Sequence, residues 1–243
     1  MATFVLVHGS WGGGWIWAKV RPALEAQGHR VLAPSLTGLG DRSHLRGPDV
    51  GLHTHITDIA NLLEWEDVDD AILVGHSYGG MVISGVCATV PDRVGGVVYL
   101  DAFAPRTGQS AFELLPFVRQ LMGGLRRPDG AIEPADFATL FGISDAEDLR
   151  WLAAKGTALP WNTHAETLPA GSEEVLARVP VTYVHCSGQD FFDETAANAA
   201  ERGFRMVSWP DTGHLVQVTH PERVVALLVE LAGTPAPVDA RRH

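Results

Sequence analysis

The sequence predicts a doubly wound, mostly parallel α/β sheet with a helical cap inserted after the fourth recognisable strand. Three observations predict it. Short apolar runs alternate with segments of helical periodicity toward both ends of the chain, the pattern of repeated strand–helix units. One of those runs, Ala71-Ile72-Leu73-Val74, leads into Gly75-His76-Ser77-Tyr78-Gly79, and a helix-like segment from Gly80 to Ala88 leads out. Between Ala102 and Val179 the alternation stops: no clear strand is visible, aromatic residues are frequent, and Pro116, Pro128, Pro134 and Pro160 break the stretch into short helices.

In chain order, Thr3 to Val7 reads as a buried strand ending at His8-Gly9-Ser10-Trp11-Gly12-Gly13-Gly14. A helix from Trp15 to Gln27 is expected next, closed by Gly28. Arg30 to Pro34 is the second strand, followed by the loop Ser35 to Ser43 and a helix from about Thr54 to Trp65. The third strand carries Ser77 at its end, and its helix runs from Tyr78 to Thr89. Gly95 to Leu100 is the fourth strand, ending at Asp101, Val181 to His185 the fifth, and Phe204 to Trp209 the sixth. Pro221 suits the first turn of a last helix, in which Val224, Val225, Leu227, Leu228 and Leu231 recur at helical spacing. The division expected is a core of residues 1–101 and 180–243, a cap of residues 102–179, and a loose Pro-, Ala- and Arg-rich tail over 233–243.

Composition narrows the function classes. A chain of 243 residues is long enough for one α/β domain with a full core. A formal net charge of −11 lacks the clustered basic charge that nucleic acids or anionic membranes require. Cys87 and Cys186 form neither a disulfide framework nor a zinc spacing, so both are expected to be buried thiols. No signal peptide or membrane-length apolar run is seen, and the expected location is cytoplasmic. A homodimer is compatible with this composition.

The chemistry begins at Ser77. Strand, G-x-S-x-G and helix in this order are the context of a nucleophile elbow, in which flanking glycines remove side chains that would collide in the tight turn. A serine hydroxyl needs a base to take its proton. Of eleven histidines, His214 in Pro210-Asp211-Thr212-Gly213-His214 lies on the loop between the sixth strand and the last helix, where such a base belongs. His220 reads as a cap or surface residue, His53 and His55 as a poor metal pair, and His8 and His76 as structural hydrogen-bonders. An acid must orient the histidine. Asp190, on the loop after the fifth strand, is the best placed, with Asp193 and Asp101 as competitors and Asp211 too close in sequence to serve comfortably. The anion site is expected from the backbone N–H groups of Tyr78 and Ser10. Trp11, Phe103, Phe191 and Leu215 are the candidate pocket residues.

His8-Gly9-Ser10-Trp11-Gly12-Gly13-Gly14-Trp15, the loop Leu36 to Arg42, the elbow, Leu100-Asp101-Ala102-Phe103-Ala104-Pro105 and Gly213-His214 together resemble the α/β-hydrolase superfamily. The branch most similar is that of the methylesterases and hydroxynitrile lyases. The resemblance implies a serine esterase mechanism with no metal or organic cofactor, and a small ester or related carbonyl substrate. The lyases of that branch carry threonine where this chain has Gly9 and lysine where it has Leu215, and both departures favour ester cleavage. Serine rather than aspartate at 77 argues against haloalkane dehalogenase or epoxide hydrolase chemistry. Two rival expectations are a lyase, cyclase or decarboxylase using the same residues without an acyl-enzyme, and a ligand receptor that keeps them.

Overall fold

The structure is a computed structural model that describes residues 1–233. Eight strands occur among the described residues: β1 (Thr3–Val7), β2 (Arg30–Leu32), β3 (Ala71–Ser77), β4 (Val94–Ala102), β5 (Ala131–Ile132), β6 (Leu159–Pro160), β7 (Val181–His185) and β8 (Arg205–Ser208). Six form one sheet in the order β2-β1-β3-β4-β7-β8, and every neighbouring pair in it is parallel. β3 and β4 lie at its centre, and nearly all of their side chains are buried, as strands covered on both faces require. Phe4, Leu6, Leu73, Val74, Tyr99 and Tyr183 form the middle of the core. Each large apolar side chain buried this way contributes roughly 1.5–3 kcal/mol relative to exposure.

The six expected strands are all present, with ends shifted by up to two residues. The expected helix Trp15 to Gln27 is instead a 3₁₀ turn, Gly14–Trp17, followed by a short α-helix, Arg21–Glu25. Pro22 lacks the N–H that a continuous helix would use there, so a new helix starts around it. Helices Leu52–Trp65, Gly79–Thr89 and Pro221–Gly233 flank the sheet close to their expected places. Beyond Gly233 the expected loose tail lies outside the described residues.

Between β4 and β7 the chain leaves the sheet. It forms six short helices: Ala111–Leu114, Pro116–Gly124, Phe137–Phe141, Ala146–Lys155, Asn162–Ala165 and Ser172–Leu176. It also forms a strand pair that the sequence did not reveal: β5 and β6 are antiparallel over two residues each, too short for any period-2 signal. Leu152, Leu159 and Ile132 are fully buried beneath these helices. The seam between this segment and the sheet domain is stitched by polar contacts. Thr157 N–H donates to the Trp11 carbonyl at 3.0 Å, and Gly40 N–H to Thr157 Oγ1 at 3.0 Å. Lys19 Nζ bonds Asp148 Oδ1 at 2.6 Å and the Val218 carbonyl at 3.1 Å. The other lysine of the chain, Lys155, lies 5.9 Å from the Trp15 ring on the same seam.

Candidate active site

Ser77 is the last residue of β3 and has φ +54°, the left-handed region that a side chain rarely adopts. The turn tolerates this because of its glycines. A Cβ at Gly75 would lie 2.6 Å from the Gly79 carbonyl oxygen, and one at Gly79 would lie 2.5 Å from that of Val7. Packed this closely, the turn projects the serine from the sheet and starts helix Gly79–Thr89 one residue after Tyr78.

His214 lies on the loop after β8 and is 2% exposed. Its Nδ1 bonds Asp101 Oδ2 at 2.7 Å. The second carboxylate oxygen, Oδ1, accepts the Cys186 N–H at 3.0 Å, so both ends of the Asp101 side chain are held. A carboxylate is acceptor-only, hence Nδ1 carries the proton and Nε2 is the basic nitrogen. Ser77 and His214 line the same cavity, and no hydrogen bond joins them in this structure; such bonds often tighten only when substrate is bound.

The acid is where the structure corrects the sequence reading. Asp190 does not reach His214; it is exposed, and its carbonyl accepts the Asp193 N–H at 3.3 Å at the start of helix Asp193–Glu201. From that loop it is Gln189 that meets His214: its Oε1 accepts the His214 backbone N–H at 3.1 Å, while its Nε2 donates to Leu140 of the cap at 3.0 Å. Asp193 bonds His185 Nε2 at 2.9 Å, and Asp211 holds Arg223 through two bonds of 2.7 Å. Asp101 reaches His214 because its backbone turns at φ +45° at the end of β4, beside a slip in the β3–β4 register between His76 and Ser77.

Other histidines hold the frame. His8 accepts the Leu36 N–H at 3.1 Å through Nε2, and burial pulls its pKa down to about 4. His76 bonds the His214 carbonyl through Nε2 at 2.9 Å, and burial, then the neighbouring His214, lowers its pKa. His55 links the Thr37 carbonyl (Nε2, 2.8 Å) to the Tyr78 hydroxyl (Nδ1, 2.9 Å), which fixes the residue after Ser77; its pKa is also lowered by burial, to about 4. His53 is exposed, and its ring bonds the Thr167 carbonyl at 3.1 Å.

One cavity opens beside Ser77 and His214, walled mainly by apolar and aromatic side chains. Its lining includes Ser10, Trp11, Phe103, Phe191 and Leu215, each singled out from sequence, together with cap residues such as Phe117, Met122 and Phe141. Trp11 Nε1 donates to the Ile132 carbonyl of β5 at 3.3 Å, which ties this wall to the cap. Gly9 passes so close to the elbow that a Cβ there would lie 2.7 Å from Ser77 Cβ. The polar lining residue that the sequence reading missed is His164, from the cap helix Asn162–Ala165, fully buried and stacked on Tyr78 with ring centroids 4.8 Å apart. No motif or spacing marks it. Among the described residues no group of three or more His, Cys, Asp or Glu side chains is placed to hold a metal ion. Nor is any helix among them long and apolar enough to cross a membrane.

Comparison with known proteins agrees with this geometry. The sequence pattern of the alpha/beta hydrolase family matches residues 4–227. The chain is 38% identical over 245 residues to a carbendazim-hydrolysing esterase of Nocardioides sp. (strain SG-4G), covering 95% of this chain and 100% of that protein. It is 28% identical over 222 residues to methylesterase 2 of Arabidopsis thaliana, covering 79% and 80% of the two chains. Among solved structures, an extracellular alpha/beta-hydrolase from a Paenibacillus species superposes with a TM-score of 0.82 at 26% identity, over 95% of this chain and 98% of that one. With an all-parallel central sheet, a strained serine elbow and a buried histidine–carboxylate pair opening on one apolar cavity, the chain belongs to the alpha/beta hydrolase family, among its carboxylic-ester hydrolases.

Proposed function

We propose that the protein hydrolyses small alkyl esters, methyl esters foremost, of apolar or aromatic acids through an acyl-enzyme on Ser77. The observation that carries this reading is the buried 2.7 Å bond from His214 to Asp101, facing the same apolar cavity as Ser77. With Nδ1–H committed to Asp101, His214 Nε2 takes the Ser77 proton as Oγ attacks the acyl carbon. The N–H groups of Ser10 and Tyr78 hold the tetrahedral oxyanion. His214 then gives the proton to the departing alcohol, deprotonates a water that attacks the acyl-enzyme, and returns that proton to Ser77 as the acid leaves. Each proton transfer contributes about two to four orders of magnitude, and each oxyanion donor about two to three.

Three features favour hydrolysis over a lyase reaction. Leu215, directly after the base, is a buried apolar wall and offers no ammonium to a leaving anion. Gly9 leaves no room for a side chain beside Ser77 without movement. The esterase and methylesterase activities in the names of the relatives extend to this chain on the same grounds. The ring-lined cavity supports an apolar or aromatic acyl group. The partner in this reading is the small-molecule ester alone. A cytoplasmic location, supported by two free buried thiols, is tested by fractionating cells of the native host.

The test is fluorophosphonate labelling of the wild type and Ser77→Ala, followed by a methyl- and aryl-ester panel on both. Labelling and turnover that vanish together in the variant are expected. Labelling without turnover of any ester would favour a lyase or cyclase, and a folded protein that takes no label would overturn the activated serine.

A further inference from the structure

The hydroxyl of Ser10 has a protonation state that its neighbours dictate. Thr163 Oγ1 lies 2.7 Å from the Pro160 carbonyl, which can only accept, so the single Thr163 proton is donated there. Thr163 Oγ1 therefore meets His164 Nδ1, 2.8 Å away, as an acceptor, and Nδ1 carries the ring proton. Burial pulls the His164 pKa down to about 3, so the ring is neutral and Nε2 is a bare acceptor. Nε2 lies 3.1 Å from Ser10 Oγ, and only the serine proton can make that bond. The hydroxyl proton of Ser10 is thereby turned toward the cap. His164 is the only side-chain partner of Ser10 Oγ among the described residues, and Ser10 is half-buried on the cavity wall. What Ser10 offers a bound molecule from its side chain is lone pairs.

Resting on the esterase reading above, we propose that Ser10 Oγ, oriented by His164, is a specificity-determining hydrogen-bond acceptor that selects esters bearing an N–H or O–H on the atom next to the acyl carbon. The same residue's backbone N–H is assigned to the oxyanion, so a carbonyl held there brings its neighbouring atom within reach of Oγ. Carbamate N–H and α-hydroxy esters are the matching substrate classes. An ester with only C–H at that position leaves the acceptor without a donor and loses the bond in a largely apolar cavity.

The experiment compares near-isosteric pairs: methyl N-phenylcarbamate against methyl phenylacetate, and methyl mandelate against methyl 2-phenylpropanoate. Intrinsic reactivity differs within each pair, but it cancels when the within-pair ratio of kcat/KM is compared between the wild type and Ser10→Ala. The ratio is expected to fall by about tenfold toward the donor-free ester in Ser10→Ala. His164→Phe keeps a ring on Tyr78 but frees the serine proton, and the ratio is expected to fall by a smaller factor, about threefold. Ratios in Ser10→Ala equal to those of the wild type would overturn the proposal. The dissociation constants of the same pairs, measured by calorimetry in Ser77→Ala and in Ser77→Ala/Ser10→Ala, decide the matter without turnover. A shifted affinity ratio together with a wild type that turns over none of these esters would sink the esterase reading and leave the acceptor standing; an unshifted one would overturn the acceptor by itself.

Discussion

Two of the buried histidines that line the cavity, His214 on its floor and His164 on its roof, are wired for different work. His214, on the floor, has a carboxylate 2.7 Å from Nδ1 and keeps Nε2 for the reaction zone. His164, on the roof, has a hydroxyl at each nitrogen and no carboxylate on either, and burial holds its pKa near 3. Both rings are almost wholly removed from solvent. Burial alone therefore does not make a base; it makes a neutral ring that accepts protons poorly. The partner at the far nitrogen decides whether the imidazolium can exist in passing during a reaction.

The sharpest way to break this contrast is at the floor. Ser77→Ala is expected to lower kcat for the best ester by at least about five orders of magnitude, as is His214→Ala, and the double variant to be no worse, because the two act as one unit. Next in size, Asp101→Asn is expected to cost about four orders in kcat, since an amide favours the wrong imidazole tautomer. Asp190→Asn, measured beside it, is expected to stay within about twofold; equal losses in the two would undo the assignment of Asp101. The roof is tested by acid. His164 resists protonation when folded, with a pKa of about 3 against an ordinary 6.5. Between those values the unfolded chain binds a proton that the folded chain refuses, so stability is intact above pH 6.5 and declines as the pH falls toward 3. His8 and His55, each held near 4, add to the same decline. Urea unfolding of His164→Phe over this window is expected to show a slope shallower by about 1 kcal/mol per pH unit. A slope identical to that of the wild type would mean that the ring is protonated in the folded protein. The smallest effect is at Gly9→Ala, whose new methyl meets Ser77 Cβ; a loss of about 1–3 kcal/mol is expected in the same urea assay.

The floor was largely legible and the roof was not, for reasons visible in single residues. The strands announce themselves because parallel strands covered on both faces must be apolar throughout, and Ser77 because its turn needs glycines at both flanks. His214 follows from its place after the last strand. Asp101 could be named only as a competitor to Asp190. What separates them is a left-handed backbone turn at Asp101 and a one-step slip in strand register, and neither leaves a trace in composition or spacing. The cap histidine was invisible for a related reason. Its role comes from contacts with Ser10, 154 positions away in the chain, and with Tyr78. Such contacts are made by tertiary packing, and no local period encodes them.

The two lysines have a practical consequence. Both are exposed, and both stand where the cap meets the sheet domain, Lys19 against Asp148 and Lys155 over Trp15. Amine-directed chemistry, which scatters over most proteins, has only these two lysine side chains to act on in this sequence. A dye or surface linker applied without any mutagenesis would thus report from the seam between the cap and the sheet domain. Immobilising the protein through its lysines is expected to anchor it along this seam, on one side of the molecule.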